Sequence, residues 1–409
     1  MKQFLKRALS VLVLLGLVGS GVLFLTRALA MTEGPEKNGS FLKEDRDYDV
    51  LLFGSSHMVN GIYPMELWKD YGITAYNLSG HGAGLAASYW TMRLATQYHK
   101  PRVAVLDVLF AHADTTEMEI GLAHELLDPF PLSLRKIEAV KDLYDSDAVR
   151  AELLFPFDVY HNRWKELDED MVRRGLTGQV ERSPEKGAQA RVNVQPLDAS
   201  PLIPQDQLMK QRTVALDYIE KFILYCQEQD IIPVLTYIPG EIYIEWQESC
   251  NAALALGREL GAEILDMQYM DLLDHETDWY DQGKHVNPLG AKKLTRCLGD
   301  FLSTFLPDHR NDLQADLWNR DYVRYLEYMD RQYEDLETLP QFLALAAVGD
   351  VTLEISWAPG TDPGELLTKL LDRLGSRVTI LEEPGKTDVT VTVPGIAQKN
   401  FSWGIREEA

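Results

Sequence analysis

Four stretches of this chain place reactive side chains at the ends of apolar runs. In "LLFGSSHMVNGIYP", residues 51 to 64, an apolar run gives way to Gly54, Ser55, Ser56 and His57. The run "ITAYNLSGHG" ends in Asn77, Ser79, Gly80, His81 and Gly82, and "PRVAVLDVLFA" delivers Asp107 and, just after it, His112. Far along the chain, "DWYDQGKHVNPLGA" holds Asp278, Trp279, Asp281, His285 and Asn287. A serine nucleophile needs a base to take its proton, and the base needs a carboxylate to fix its tautomer. All three types are present, in the order Ser, Asp, His. A helix cap explains a hydroxyl at Ser55 or Ser56, but not the adjacent His57 or the distant His285.

These residues need a scaffold that brings strand ends together. Short runs rich in Val, Ile and Leu alternate with helical patterns, which predicts an α/β fold with a parallel sheet covered on both faces. Five strands are readable, ending with "IIPVLTYIP" and "AEILDM". In such sheets ligands bind outside the carboxyl ends of the strands, where the reactive residues fall. A lipase-type hydrolase would need a G-x-S-x-G elbow, and the chain has none.

The arrangement resembles the SGNH/GDSL hydrolase superfamily. "FGSSH" is similar to its first block, with Ser56 in the nucleophile position. "YNLSGHG" is similar to the second, where Gly82 and the Ser56 N–H would form the oxyanion hole. "YDQGKHVNPLGAKKLT" is similar to the last, with His285 as base and Asp281 as its orienter. The resemblance covers about 49–115 and 208–306 and departs at two points. "LDVLFAHAD" lacks the third-block asparagine, leaving His112 as the nearest polar substitute. Asp281 and His285 also stand one residue further apart than D-x-x-H, which keeps Asp278 open as the orienter. The likeness extends to membrane-anchored members of Gram-positive bacteria, such as the D-alanine transfer protein of lipoteichoic acid synthesis. They share the N-terminal anchor, the "GSS" start and a helical insertion like "YHNRWKEL". Those relatives are associated with membrane-bound O-acyltransferases that export acyl groups to cell-surface polymers.

The resemblance implies a three-layer α/β/α sandwich of flavodoxin-like form with a five-stranded parallel sheet. Residues 49–307 form this domain, interrupted by a helical insertion over about 113–207; insertions after a strand's carboxyl end commonly build substrate surfaces. Residues 31–48 read as a linker. Residues 308–409 read as a helix followed by a small β-α-β-β module. Ahead of all this, Lys2, Lys6 and Arg7 precede an uncharged apolar run from Ala8 to Leu25. Residues 1–30 are therefore expected to be a single-pass signal anchor with the domain outside the cytoplasm, or a signal removed at Ala28-Leu29-Ala30, giving a secreted protein.

Composition narrows the partners. With 63 Asp and Glu against 40 Lys and Arg, the net charge of −23 argues against nucleic acid. Three scattered cysteines, Cys226, Cys250 and Cys297, form neither a disulfide framework nor a zinc site. His57, His81 and His112 would suit zinc if they converged with Asp281, but polar lining of a sugar-binding cleft is the preferred reading, and no metal or cofactor is expected. Trp279 is the candidate for stacking on a sugar ring. The expected activity is a serine esterase or O-acyltransferase acting on a cell-surface glycan or acylated polymer. The alternative is a non-catalytic scaffold that presents glycan or acyl carrier to a membrane-bound O-acyltransferase.

Overall fold

The computed structural model describes residues 2–29, 37–178, 182–198, 201–240, 243–282 and 284–402. They form two compact units, one of residues 1–45 and 117–183, the other of residues 46–116 and 184–409.

The larger unit is built on β1 (Val50–Phe53), β2 (Ala75–Asn77), β3 (Val103–Asp107), β4 (Ile232–Tyr237) and β5 (Glu263–Asp266). They form one parallel sheet in the order β2-β1-β3-β4-β5. Every residue of β1, β2 and β3 is buried, which is why these strands read as unbroken apolar runs. The chain moves from β1 to β2 in one direction and from β2 through β3 to β5 in the other. Right-handed crossovers then put the helix Pro64–Tyr71 on one face and Leu85–Ala95, Val214–Glu228 and Ile244–Glu259 on the opposite one. The helix Pro288–Leu302 joins Pro64–Tyr71, completing the three layers. Reversal between β1 and β3 opens a crevice at their carboxyl ends, the usual ligand position of an open α/β sheet.

Beyond the sheet, β6 (Trp279–Asp281) and β7 (His285–Val286) pair as a small antiparallel hairpin with Asp281 opposite His285. The helix Ala315–Gln332 belongs to the same packed body. Its Trp318 stacks on Trp68 at 5.5 Å between ring centroids, and its Asp321 pairs with Arg46 at 2.7 Å and Lys186 at 2.6 Å. The C-terminal sheet runs β11-β10-β8-β9, from β8 (Leu353–Trp357), β9 (Val378–Glu382), β10 (Asp388–Val393) and β11 (Ala397–Ser402). The expected β-α-β-β order is present, with β11 as an additional strand. Its sequence "AQKNFS" has no apolar alternation because neither of its faces is fully buried.

The smaller unit is helical. It comprises Lys2–Leu29, Lys37–Lys43, Ile120–Leu127, Leu134–Leu143, Asp147–Leu154, Phe157–Tyr160, the 3-10 turn His161–Glu166 and Glu169–Thr177. The linker reading of 31–48 needs correction over 37–43. These residues form a helix that buries Asn38, Ser40 and Phe41, with Asn38 Nδ2 donating to the Leu126 carbonyl at 2.9 Å. Residues 31–36 lie outside the described residues.

Candidate active site

The nucleophile position is made by a turn that only glycine fits. Gly54 leaves β1 at φ +142°, and a Cβ there would lie 2.8 Å from Asp107 Cβ. Ser55 follows in extended geometry and caps the helix Ser56–Gly61, its Oγ accepting from the His57 N–H at 3.3 Å. The same hydroxyl donates to Asp107 Oδ2 at 3.3 Å. Capping thus belongs to Ser55, which frees the Ser56 side chain at the first helical position. Asn77, fully buried at the end of β2, donates to the carbonyls of Met58 at 2.8 Å and Ile62 at 3.3 Å. The short helix is held at both ends.

The hairpin supplies the partners. Ser56 Oγ lies 2.7 Å from His285 Nε2, and His285 Nδ1 lies 2.8 Å from Asp281 Oδ2. Asp281 Oδ1 also accepts the His285 backbone N–H at 2.7 Å. One carboxylate therefore grips both the main chain and the ring of the same histidine. It favours the tautomer with the proton on Nδ1, leaving Nε2 to accept from the serine hydroxyl. The extra residue between Asp281 and His285 is accommodated by the hairpin, which sets the two opposite each other. Asp278 is excluded as orienter. It is completely buried, accepts from the Asp274 N–H at 2.8 Å and Thr277 Oγ1 at 3.0 Å, and is paired with Lys293.

Supporting residues surround the relay. Asn287, completely buried, donates through Nδ2 to the carbonyls of Thr277 at 2.7 Å and Trp279 at 3.2 Å, and caps Leu289 and Gly290 through Oδ1. Asp107 accepts from Ser55 and from the Ile238 N–H at 3.3 Å; burial pushes its carboxyl up to about 7. His57 packs beside His285 with ring centroids 5.2 Å apart. Burial, then the nearby His285, lower its pKa to about 3, so it stays neutral.

An extended segment, residues 188–198, ties the nucleophile helix to the hairpin. Gln189 N donates to the Val59 carbonyl at 3.1 Å, and Asn60 Nδ2 to the Gln189 carbonyl at 2.9 Å; at the other end Gln195 N donates to the Trp279 carbonyl at 3.0 Å. Gln189 Oε1 lies 2.8 Å from His81 Nε2. Sequence reasoning missed this strap: Ala188, Ala190, Val192 and Val194 alternate with polar residues, but the run lies inside the stretch read as the polar part of the insertion.

The remaining candidates separate. His112 stacks on Trp246, ring centroids 4.0 Å apart, away from a liganding role. Trp279 requires correction as a sugar-stacking residue: it is 3% exposed, so its ring is packed into the protein and offers no face to a ligand. Gly82 sits exposed in the turn after β2 at φ +61°. Among the described residues no group of three or more His, Cys, Asp or Glu is arranged to hold a metal ion. Cys226 and Cys250 are buried thiols with pKa values raised by burial.

A Ser–His–Asp relay at the crevice of a parallel sheet can carry nucleophilic acyl transfer. No protein-family model matches the chain, and no curated protein matches it.

Proposed function

We propose that the protein is a serine esterase or O-acyltransferase that acts on acyl groups of a cell-surface polysaccharide or teichoic-acid-like polymer. The observation that carries this reading is the continuous Ser56–His285–Asp281 relay, with contacts of 2.7 and 2.8 Å. In the proposed reaction Ser56 Oγ attacks the ester carbonyl as His285 Nε2 takes the hydroxyl proton. Asp281 holds the imidazolium, and the departing alkoxide receives that proton. Water or a polymer hydroxyl then attacks the acyl-enzyme, giving its proton to His285, and Ser56 is restored. The Ser56 N–H heads its helix without an intrahelical acceptor and, with the Gly82 N–H, is the proposed oxyanion donor. One such donor contributes about 3 kcal/mol to the transition state.

The proposed location is the outer face of a membrane, held by the N-terminal helix. Residues 3–29 form a helix whose most apolar 18-residue window has mean hydropathy 2.5 and no protein cover. Retention is favoured over cleavage because Ala28 and Leu29 are helical and buried, whereas a peptidase needs extended, accessible backbone. A fluorophosphonate probe, with mass mapping of the adduct, tests the reading. Label is expected on Ser56, with loss of labelling and at least about a 10⁴-fold loss of esterase turnover in Ser56→Ala. Ser55→Ala should keep most activity. A protein that is never labelled, yet binds glycan equally well as Ser56→Ala, is the non-catalytic scaffold instead.

A further inference from the structure

The insertion does not stand alone in the smaller unit; it is folded around the end of the N-terminal helix. Leu29, Tyr160 and Met171 form a buried cluster, with Leu25 and Phe157 packed against it. Gly175 makes the closest approach: a Cβ there would lie 2.7 Å from the Phe24 ring and 2.9 Å from Ala28 Cβ. Two arginines of the insertion take the free carbonyls of the helix end. Arg174 donates to the carbonyls of Arg27 at 3.2 Å and Ala28 at 3.0 Å, and Arg163 to that of Leu29 at 2.7 Å. These are the orphan acceptors of a helix terminus, satisfied here by side chains.

Length fixes the depth at which this happens. The 27 residues from Gln3 to Leu29 extend about 40 Å at ~1.5 Å per residue, more than the ~30 Å hydrocarbon core, which takes about 20 residues. Counted from Ala8, just past the basic cluster, those residues end near Arg27. The outer boundary of the lipid therefore falls at the turn Phe24–Ala28, where Gly175 packs. From Met171, beside Leu29, to Gly175, beside Phe24, the helix Glu169–Thr177 runs back along the anchor toward the lipid. The face next to the one that meets the anchor carries Val172 and Leu176, and Leu176 is 73% exposed. Trp164, 61% exposed, sits in the turn that Arg163 ties to Leu29, and tryptophan favours the headgroup level.

We infer that the insertion is a membrane-surface module, with Leu176 and Val172 set into the outer lipid boundary beside the anchor and Trp164 at the headgroups. The inference rests on the proposed retention of residues 1–30 as an anchor. Its partner is the phospholipid bilayer, because the residues that position this face are continuous with a helix long and apolar enough to span one and left uncovered over its apolar window.

Nitroxide depth measurements on the full chain in phosphatidylglycerol nanodiscs test it. In a Cys297→Ser background, with the buried Cys226 and Cys250 left in place, single labels go on Leu176→Cys, Val18→Cys and Leu313→Cys. Leu313 is fully exposed in the other unit and reports water. Expected is a severalfold higher ratio of oxygen to nickel-chelate collisions at 176 than at 313, with 18 higher still. A water-like ratio at 176 with a lipid-like ratio at 18 overturns the surface module and leaves the anchor standing; the face is then free for an integral-membrane protein. A label at 176 shielded from both reagents also overturns it, since protein then covers the face. A water-like ratio at 18 removes the anchor itself.

Discussion

Asp281 accepts two hydrogen bonds from one residue, and the difference between them defines its work. The bond from the His285 main chain closes the hairpin; the bond from Nδ1 sets the tautomer. Asp281→Asn keeps a side chain able to close the hairpin but presents an N–H or a neutral oxygen to the ring. Turnover is expected to fall by about 10⁴-fold with thermal stability nearly unchanged. Asp278→Asn should do the reverse. It weakens the pair with the half-buried Lys293 and sets an amide N–H against donors that a buried carboxylate had accepted, which destabilises the fold, while relay geometry is retained in whatever remains folded. Measuring kcat and Tm for both variants checks the assignment, and equal kinetic losses would sink it. Asp107 offers a separate test through pH. Burial shifts its carboxyl from 3.8 to about 7, so between those values the folded protein keeps a proton that the unfolded chain releases. Stability therefore falls as pH rises through that window. His57, lowered from 6.5 to about 3, acts oppositely, removing stability as pH falls. Asp107→Asn is expected to flatten Tm between pH 5 and 8 by several degrees, and an unchanged profile would show that Asp107 is not held neutral.

At the level of elements, the site depends on pieces too small or too polar to announce themselves. β1, β3 and β4 are legible because each is a largely apolar and largely buried run of four to six residues, and the parallel order follows from the helices between them. The relay residues are legible because Ser, Asp and His stand at such run ends. The hairpin is not, since β6 and β7 have three and two residues and no room for an alternating pattern. Nor is the strap over 188–198, whose short alternation of small apolar residues from Ala188 to Val194 is lost in a polar surrounding sequence. The burial of Trp279 was hidden for the same reason: a tryptophan next to the relay looks available until the hairpin turns it inward. Asn287 connects these pieces, with two donors on the hairpin and its oxygen on the next helix. Asn287→Ala removes all four contacts and should cost about 2–4 kcal/mol in a denaturant titration. Activity should fall as well, because the carbonyls of Thr277 and Trp279 lose the link that seats His285. A loss under about 0.5 kcal/mol would mean that the hairpin holds itself.

Across the whole molecule, charge is distributed with purpose despite the net −23. Asp321, 4% exposed, takes Arg46 and Lys186 at 2.7 and 2.6 Å and Arg324 at 3.0 Å. Lys186 is 1% exposed, and the Arg46 side chain only 6%. Those two cations stand at the beginning of the larger unit's two chain segments, residues 46–116 and 184–409. A buried cation without its counter-charge is strongly disfavoured. Arg46 and Asp321 stand 275 residues apart in the chain, and Lys186 and Asp321 nearly half as far. These two contacts therefore form only once the helix Ala315–Gln332 has been made. The knot that joins the starts of both segments is thus tied late in synthesis, after nearly four-fifths of the polypeptide has been delivered.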